Sequence, residues 1–314
     1  MSANNRRRLT AAYWAGREGS TVRAYESAFR ILRSICIEED LNLGKLDEPA
    51  RCLIMMRLEE MGKKEGTLKM VLAVIALIRE AMGLEANEGT RIEKNVKKGI
   101  IKKMNSLAKK RKRKPAQKRD VEILWTEVMR GLKEPLKLMV AVVFIICYLA
   151  VRRFSDINRL LVKDMEVQEG GVLFYMPRSK NDKWSEGREF FISGEKYGRF
   201  SFIELMKNYV KRMGLKKEDH LFPKPGKGGK CLKQKCLEYS AAFRGLAALK
   251  EEFGLDSKVS LHSPRIGGAT RSAELGVSRN VIKKAGMWRS EVVDTYMCVD
   301  KPAELVSKAL LEEF

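Results

Sequence analysis

A short window of extreme positive charge is the feature that most constrains how this chain can fold. Thirteen Lys or Arg residues and no Asp or Glu stand between Lys94 and Arg119. The segment Lys109–Pro115 reads KKRKRKP and has no apolar side chain to place in a core. Because such a segment stays solvated and extended, it predicts a linker. The 314 residues should therefore form two domains, 1–108 and 120–314, joined by a basic linker at 109–119.

The same charge indicates the kind of partner that the chain binds. With 62 Lys plus Arg against 40 Asp plus Glu, the net charge is +22, which calls for a polyanion. The linker could be a flexible tether, but a linker that crosses a phosphate backbone is favoured, because each cation placed there releases condensed counterions. The residues expected to do this are Lys109, Lys110, Arg111, Lys112, Arg113 and Lys114. In a eukaryote this run would also act as a nuclear import signal, and otherwise a cytoplasmic location is expected.

Several classes of protein are disfavoured by composition. The six cysteines are scattered without a CxxC pair and the start lacks an apolar signal core, so we expect a reduced protein that is not secreted. The most apolar run, Leu138–Val151, has 14 residues, whereas a membrane span needs about 20. It predicts a helix buried on all sides and no membrane partner. With two histidines and no phosphate-binding glycine motif, no metal and no cofactor are expected.

The first domain reads as helical. Apolar residues recur there at three- and four-residue steps, which predicts four helices that begin near Ser20, Asp47, Thr67 and Thr90. Glycines end two of them. The spacing Thr90-x-x-Glu93 is typical of a capping box, in which a hydroxyl and a carboxylate cap the helix start reciprocally.

The second domain mixes helices with a few strands. Strands are predicted at Met165–Val167, Val172–Met176 and Arg188–Ile192, and Pro223–Gly229 is predicted to be a loop. The fold class is mainly α with one small antiparallel β-sheet, that is, α+β. Helices are predicted at Val121–Leu132, Pro135–Val151, Arg153–Leu161, Phe202–Met213, Gln234–Phe253, Pro264–Leu275, Ser278–Ala285, Glu291–Met297 and Ala303–Glu312.

Chemistry on a phosphate without a metal needs cations, a nucleophile and an acid. Arginine is the best clamp, because its planar fork makes paired hydrogen bonds to phosphate oxygens. Arg153 and Arg265 qualify, since both stand beside apolar segments. Taken singly, each has an ordinary structural interpretation: an arginine at a helix end, a satisfied histidine at His262, a packed tyrosine at Tyr296.

The order and spacing of these residues carry more information. Arg153-Phe-Ser-Asp-Ile157 is followed by Asp164, eleven residues after the arginine, and that register selects Arg153 over Arg152. His262-x-x-Arg265 follows, and then Gly286-Met-Trp288 with Tyr296 eight residues after the tryptophan. In these three motifs the second domain resembles the tyrosine recombinases, also called phage-type integrases. The segments around them look most like the recombinases of DIRS-like and Crypton-type elements.

The resemblance covers nearly the whole chain. Ser20–Tyr25 and the helices after it are similar to the core-binding domain of that family. Departures are few: Pro264 stands where an aliphatic residue is usual, Asp156 replaces the commoner glutamate, and Trp288 replaces the commoner histidine. The implied fold is a helical core-binding domain followed by a tyrosine recombinase catalytic domain.

The resemblance implies a role for each matching residue. Tyr296 would attack a DNA phosphodiester and form a 3′-phosphotyrosine, without ATP or metal. Arg153 and Arg265 would hold the non-bridging oxygens, with Asp156 supporting the first arginine. His262 would assist proton transfer, and Trp288 would supply an indole N–H or packing behind the phosphate. The family also uses a lysine on a β-hairpin as general acid, for which Lys180 matches best and Lys183 is the second choice.

The resemblance also implies double-stranded DNA clamped between the two domains and a tetramer on DNA, for integration or excision of a mobile element. A C-terminal helix at 303–314 could dock on a neighbouring protomer or pack on its own domain. Three other functions stay open: a type IB topoisomerase, a DNA-binding protein that has lost catalysis, and a basic scaffold for RNA or other proteins. Plasmid relaxation without site dependence would indicate the topoisomerase. DNA binding without a covalent adduct would indicate the protein that has lost catalysis.

Overall fold

The computed structural model of the chain describes residues 19–83, 89–107, 114–177, 187–194, 200–226, 228, 230–288 and 291–297. The chain separates into two compact units, Met1–Arg111 and Lys112–Phe314. No helix in these ranges is both long enough and apolar enough to cross a bilayer.

The described part of the first unit is a four-helix assembly, as the apolar periodicity predicted. Its helices are α1 (Gly19–Glu38), α2 (Glu48–Glu60), α3 (Glu65–Ala81) and α4 (Arg91–Leu107). Asp47 caps α2 by accepting a hydrogen bond from the backbone N–H of Ala50 at 3.0 Å. Fully buried side chains from α1 to α3, among them Leu32, Ile54 and Leu68, form the core.

A buried ion pair ties α4 to α2. Thr90 accepts a hydrogen bond from the backbone N–H of Glu93 at 3.3 Å, which is one half of the predicted capping box. The Glu93 carboxylate accepts two hydrogen bonds from Arg51 of α2, at 3.0 and 2.7 Å. Arg51 also donates to the carbonyl of Leu46, so its buried guanidinium is well satisfied. The carboxylate of the predicted box thus serves a contact between helices.

The core of the second unit is built around one apolar helix. The helices α5 (Lys118–Arg130) and α6 (Pro135–Leu149) come first, and every α6 residue from Leu138 to Cys147 is buried. The prediction of a helix buried on all sides is confirmed. Further along the chain are α8 (Phe202–Met213), α9 (Tyr239–Phe253), α10 (Ser263–Glu274) and α11 (Arg279–Ala285), and α6 packs against α5, α9 and α10.

Two segments differ from the predicted helices. Where Arg153–Leu161 was predicted as one helix, only α7 (Phe154–Ile157) is α-helical, and a 3₁₀ turn follows at Val162–Asp164. Beyond Ile157 the N–H of Leu161 donates to Asp164 Oδ2 at 2.8 Å rather than to a carbonyl of the same helix. The carbonyl of Leu160 pairs with the N–H of Leu221 at 2.7 Å, so the chain leaves the helix here. Likewise Glu291–Thr295 is a 3₁₀ helix, where a longer α-helix to Met297 was predicted.

Two antiparallel sheets are present among the described residues, where one was predicted. The first has the order β1 (Met165–Gln168), β2 (Gly171–Met176) and β3 (Arg188–Ser193), with Phe174 paired to Phe190. The second pairs β4 (Pro223–Pro225) with β5 (Cys231–Cys236). This pair corrects the predicted loop at Pro223–Gly229. It also moves the start of the following helix from Gln234 to Tyr239.

Two adjacent glycines let α10 approach its neighbours closely. A Cβ on Gly268 would lie 2.1 Å from the carbonyl oxygen of Tyr148 in α6. A Cβ on Gly267 would lie 2.1 Å from the carbonyl oxygen of Ala116. Both distances are far below van der Waals contact, and both obstacles are backbone atoms that cannot rotate away. The helix that carries Arg265 is therefore seated directly on backbone.

Candidate functional site

The first turn of α10 presents two of the residues singled out by the sequence. His262 is the N-cap residue, and its N–H donates to Ser260 Oγ at 3.3 Å. Pro264 lies in the first turn, where a missing N–H costs nothing and a fixed φ suits the helix. The departure from an aliphatic residue at this position thus has a local reason. Arg265 follows on the first turn and points into the unit.

Arg265 is the largest fully buried side chain in the described part of the protein, with a relative exposure of 1%. Nη1 donates to the carbonyl of Val151 at 2.9 Å, and Nη2 donates to the carbonyl of Gly286 at 2.8 Å. Its guanidinium carbon lies 4.0 Å from the centroid of the Trp288 ring. These contacts fix the guanidinium, and Nε is left with no hydrogen-bond partner among the described residues.

Strained backbone presents the carbonyls that hold this arginine. Val151 has φ +53° and Met287 has φ +54°, a left-handed conformation that is rare for side chains of this kind. The carbonyl of Val151 itself accepts a hydrogen bond from Arg265. Met287 directly follows Gly286, whose carbonyl accepts the other hydrogen bond from Arg265. Such strain persists only where surrounding contacts enforce it, and here it coincides with the arginine clamp.

A small apolar cluster forms the floor beneath Arg265. Val151, Ala269, Ile282, Trp288 and Val293 are buried together, separately from the main core of the unit.

The Gly-x-Trp motif has a steric explanation within that cluster. A Cβ on Gly286 would lie 1.9 Å from the ring of Trp288, so only glycine allows the indole to fold back over this turn. The indole N–H of Trp288 has no hydrogen-bond partner in the described ranges.

Tyr296 lies against the same group of residues. Its ring centroid is 4.9 Å from that of Trp288, 5.3 Å from that of His262 and 5.4 Å from the guanidinium carbon of Arg265. Its backbone carbonyl accepts a hydrogen bond from Thr270 Oγ1 at 3.1 Å, and its N–H donates to the carbonyl of Val293 at 2.8 Å. The tyrosine therefore shares one site with an arginine, a histidine and a tryptophan that are distant along the chain.

The first arginine stands at the start of α7. Arg153 is half-buried, and its Nη1 lies 3.8 Å from Asp156 Oδ2. The same carboxylate oxygen accepts from the Arg153 backbone N–H at 3.2 Å, so it caps the helix. Asp164, the other acidic residue of the motif, accepts from the N–H of Leu161 at 2.8 Å. The eleven-residue spacing thus joins two short helical turns, each capped by its own aspartate.

The charged groups of the site lie close enough together to influence one another. Burial lowers the pKa of Arg265 to about 10, and the neighbouring charge of Arg153 adds to the lowering. Asp156 and Tyr296 act in the opposite direction on the Arg265 pKa. At neutral pH the buried guanidinium keeps its charge and lacks a full set of anionic partners, as an anion-binding site requires.

Arg152, which the motif spacing set aside in favour of Arg153, is a buried cation. Its exposure is 3%, its guanidinium carbon lies 4.8 Å from the ring centroid of Phe190 on β3, and burial lowers its pKa to about 10. Neither Nε nor Nη1 has a hydrogen-bond partner in the described residues. The only sequence signal for Arg152 was its place in the Arg-Arg doublet after a long apolar run. The spacing to Asp164 selected the second arginine of that doublet, Arg153.

Several other predicted site residues lie outside the described residues: Lys180, Lys183, Lys109, Lys110, Arg111, Lys112, Arg113 and the C-terminal segment 303–314. Lys114 is described, and its ammonium pairs with the Asp256 carboxylate. In the described ranges no three His, Cys, Asp or Glu side chains lie close enough together to hold a metal ion. The arrangement offers cations, a phenol and an imidazole, which can bind a phosphate and supply a nucleophile.

Comparison with known proteins identifies the fold. No protein-family model and no curated protein sequence matches the chain. Among solved structures, the Tn1549 transposon integrase in complex with transposon right end DNA superposes with a TM-score of 0.67 at 11% identity, over 98% of each chain. A lambda integrase dimer bound to a COC′ core site gives 0.61 at 13% identity over 94% of each chain.

The XerH site-specific recombinase bound to palindromic difH substrate gives a TM-score of 0.59 at 15% identity, over 85% of this chain and 72% of that one. All three are tyrosine recombinases or integrases. At these identities the likeness shows the fold: a mostly helical protein with small antiparallel sheets, in the arrangement of these proteins. The fold class predicted from the sequence is therefore confirmed.

Proposed function

We propose that the chain is a site-specific DNA recombinase that cleaves and rejoins DNA through a 3′-phosphotyrosine at Tyr296. One observation carries the proposal: Tyr296 lies within 5.4 Å of the guanidinium of a fully buried arginine, Arg265, and also contacts His262 and Trp288. A buried, fixed cation beside a phenol is suited to hold a phosphodiester for attack.

The proposed reaction exchanges one phosphoester for another. The phenolic oxygen of Tyr296 attacks the phosphorus, a P–O bond to the tyrosine forms, and the bond to the 5′ oxygen breaks. The phenolic proton leaves with assistance from His262, and a proton from Lys180 goes to the departing 5′ oxygen. Rejoining reverses these steps with the 5′ hydroxyl of a partner strand, so no energy source is consumed.

The hydrogen-bond donors around Arg265 and the guanidinium of Arg153 bind different oxygens of the phosphate in this proposal. Arg265 Nε and the Trp288 indole N–H, both without a hydrogen-bond partner among the described residues, would donate to phosphate oxygens as negative charge builds. Arg153, oriented by Asp156, would hold the other non-bridging oxygen. Because two carbonyls fix the Arg265 guanidinium, it would keep its orientation when the phosphate arrives. The Trp288 and Tyr296 rings that cover it would have to move aside to admit the phosphate.

The known proteins of the same fold support DNA as the substrate. The three solved relatives were bound to DNA core, dif or transposon-end sites. For this chain we propose binding of double-stranded DNA, with the basic run 109–114 on the phosphate backbone, and assembly of a tetramer on DNA. A mobile element, of the DIRS-like or Crypton type, is the proposed origin. Nuclear localisation through the basic run completes the proposal for a eukaryotic host.

The target site is not needed to test the chemistry. A pool of nicked duplexes with a randomised centre is incubated with the protein, and species that survive SDS are captured and sequenced. Wild-type protein should form a covalent adduct on a subset of the pool, because the short strand beyond the nick diffuses away and traps the intermediate. Tyr296→Phe should bind the same duplexes and form none.

One variant tests the proposed site, and two other outcomes would favour the alternatives. Arg265→Met should reduce adduct formation by at least about 100-fold, as for loss of a transition-state donor. Relaxation of supercoiled plasmids that lack any selected sequence would instead indicate a topoisomerase. Salt-sensitive DNA binding with no adduct from any duplex would indicate a DNA-binding protein without catalysis and would refute the proposal.

A further inference from the structure

The turn that carries Tyr296 is held partly by apolar contacts, since Val293, Tyr296 and Met297 pack on the cluster beneath Arg265. Of the 3₁₀ segment Glu291–Thr295, only Val293 is buried, while Val292 next to it is exposed. The Thr270 hydroxyl also donates to the Tyr296 carbonyl, but the exposed side of the segment, away from the apolar cluster, is held by other contacts. Those contacts are ionic.

Four charged residues, which we name the clasp, join α11 to this segment: Arg279 and Lys283 on α11, Glu291 and Asp294 on the segment. Arg279 donates from Nε and Nη2 to the two oxygens of Asp294, at 2.6 and 2.8 Å. Arg279 also donates to Glu291, whose other carboxylate oxygen accepts from Lys283. Two cations face two anions, and both carboxyl pKa values are held below their usual range by these hydrogen bonds.

The clasp connects to the arginine clamp through α11. Arg279 begins this helix, and the helix ends at Ala285, directly before the carbonyl of Gly286 that accepts from Arg265. One short helix therefore holds Arg265 at one end and the tyrosine-bearing turn at the other. A two-pronged arginine–carboxylate pair is the kind of ion pair that fixes geometry as well as distance.

We infer that Arg279 is a positioning residue that keeps the Tyr296 turn of its own chain docked over Arg265 before DNA arrives. The inference rests on the proposed function, since it assigns Arg279 a role in delivering the nucleophile. Arg279 itself does not contact the reacting atoms. It acts by restricting where Tyr296 can be.

The first test measures single-turnover adduct formation on a duplex selected from the nicked pool. Arg279→Met should slow it about five- to tenfold, because exposed pairs are individually weak but a small displacement of a nucleophile is costly. The rate of Arg279→Lys should lie between those of wild-type protein and Arg279→Met, since lysine keeps the positive charge but cannot make the two-pronged hydrogen bond of arginine. DNA affinity in the Tyr296→Phe background should not change.

Charge reversal provides the rescue arm. Reversing all four charges, with Arg279→Glu, Lys283→Glu, Glu291→Lys and Asp294→Arg, restores every pair with opposite polarity, and it should recover most of the rate that Arg279→Glu alone loses. The control is Arg130→Met, which breaks the exposed Arg130–Glu127 pair of 2.8 Å on α5 and should leave the rate unchanged. Wild-type rate for Arg279→Met, or no recovery in the variant with all four charges reversed, would overturn the inference.

The second test needs neither DNA nor activity. The eight tyrosines are labelled with 3-fluorotyrosine, and the Tyr296 signal is assigned by its loss in Tyr296→Phe. In wild-type protein the signal should be shifted by the Trp288 ring, and Arg279→Met should move it towards the position of exposed tyrosines. If wild-type protein makes no adduct, the proposed function fails, but this spectrum still tests whether Arg279 holds the Tyr296 turn. A Tyr296 signal that is unchanged in Arg279→Met would refute that role of Arg279.

Discussion

Replacing Gly268 by alanine tests the claim that α10 is seated directly on backbone. The added Cβ would lie 2.1 Å from the Tyr148 carbonyl oxygen, more than about 1 Å inside van der Waals contact, so α10 or α6 must shift. Alanine gains about 0.5–1 kcal/mol of helix propensity, and overpacking costs about 1–3 kcal/mol. Because the obstacle is backbone, we expect the upper part of that range and a net loss of about 1–2 kcal/mol.

Gly99 is the matched control, since it lies in the middle of α4 and a Cβ there would meet nothing within 4 Å. Gly99→Ala should therefore stabilise its own unit by about 0.5–1 kcal/mol. Hydrogen exchange monitored by mass spectrometry follows α4 and α10 separately, and thermal unfolding of the Gly268 variant should begin about 2–8 °C earlier. A Gly268→Ala protein with slower exchange in α10, like the control in α4, would refute the close-packing argument.

Four further predictions concern the site. Trp288→Phe keeps an aromatic ring over Arg265 but removes the indole N–H, so single-turnover cleavage should slow by about 10- to 100-fold at unchanged DNA affinity; an unchanged rate would leave the tryptophan a packing role only. Inorganic sulfate should raise the melting temperature of wild-type protein by about 3–5 °C at ten times its dissociation constant, and should not do so in Arg265→Met. Adduct formation should be constant from neutral pH to about 9 and fall as pH passes about 10, where Arg265 loses its charge. The free energy of unfolding should change with pH in the opposite direction to adduct formation. Because the pKa of Arg265 is lowered in the folded protein, the unfolded chain binds more protons above about pH 10. The contribution of Arg265 to the free energy of unfolding should therefore rise with pH above about pH 10.

Much of the fold could be predicted from apolar periodicity and capping signals. The helices at α1 to α4 and at α8 needed only their own sequence, and β1 to β3 needed only short apolar runs between turn residues. The pair β4 and β5 escaped because Cys231–Cys236 alternates lysine and glutamine with few β-branched residues, and its strand conformation depends on a partner strand eight residues earlier. The helix predicted after Arg153 was too long for a related reason, because the N–H of Leu161 donates to the Asp164 carboxylate and Leu160 pairs with Leu221.

The candidate site also has a part that could be predicted from the sequence and a part that depends on tertiary packing. The match of residue spacing to a known family selected Arg153, Asp156, His262, Arg265, Trp288 and Tyr296, and the structure brings the last four together. Spacing could not indicate that Arg152 is buried against Phe190, since that depends on where β3 lies. Nor could it reveal the clasp, because Arg279 and Asp294 are an unremarkable pair of charges until α11 and the 3₁₀ turn are placed side by side.

The central claim is that the phenol of Tyr296 takes the phosphate. Its most direct test is mass spectrometry of the captured protein–DNA species after trypsin and nuclease digestion. The account predicts one modified tryptic peptide, the one that contains Tyr296, with a nucleotide attached through its 3′ phosphate to that tyrosine. A nucleotide on any other residue, or attached through its 5′ phosphate, would contradict it.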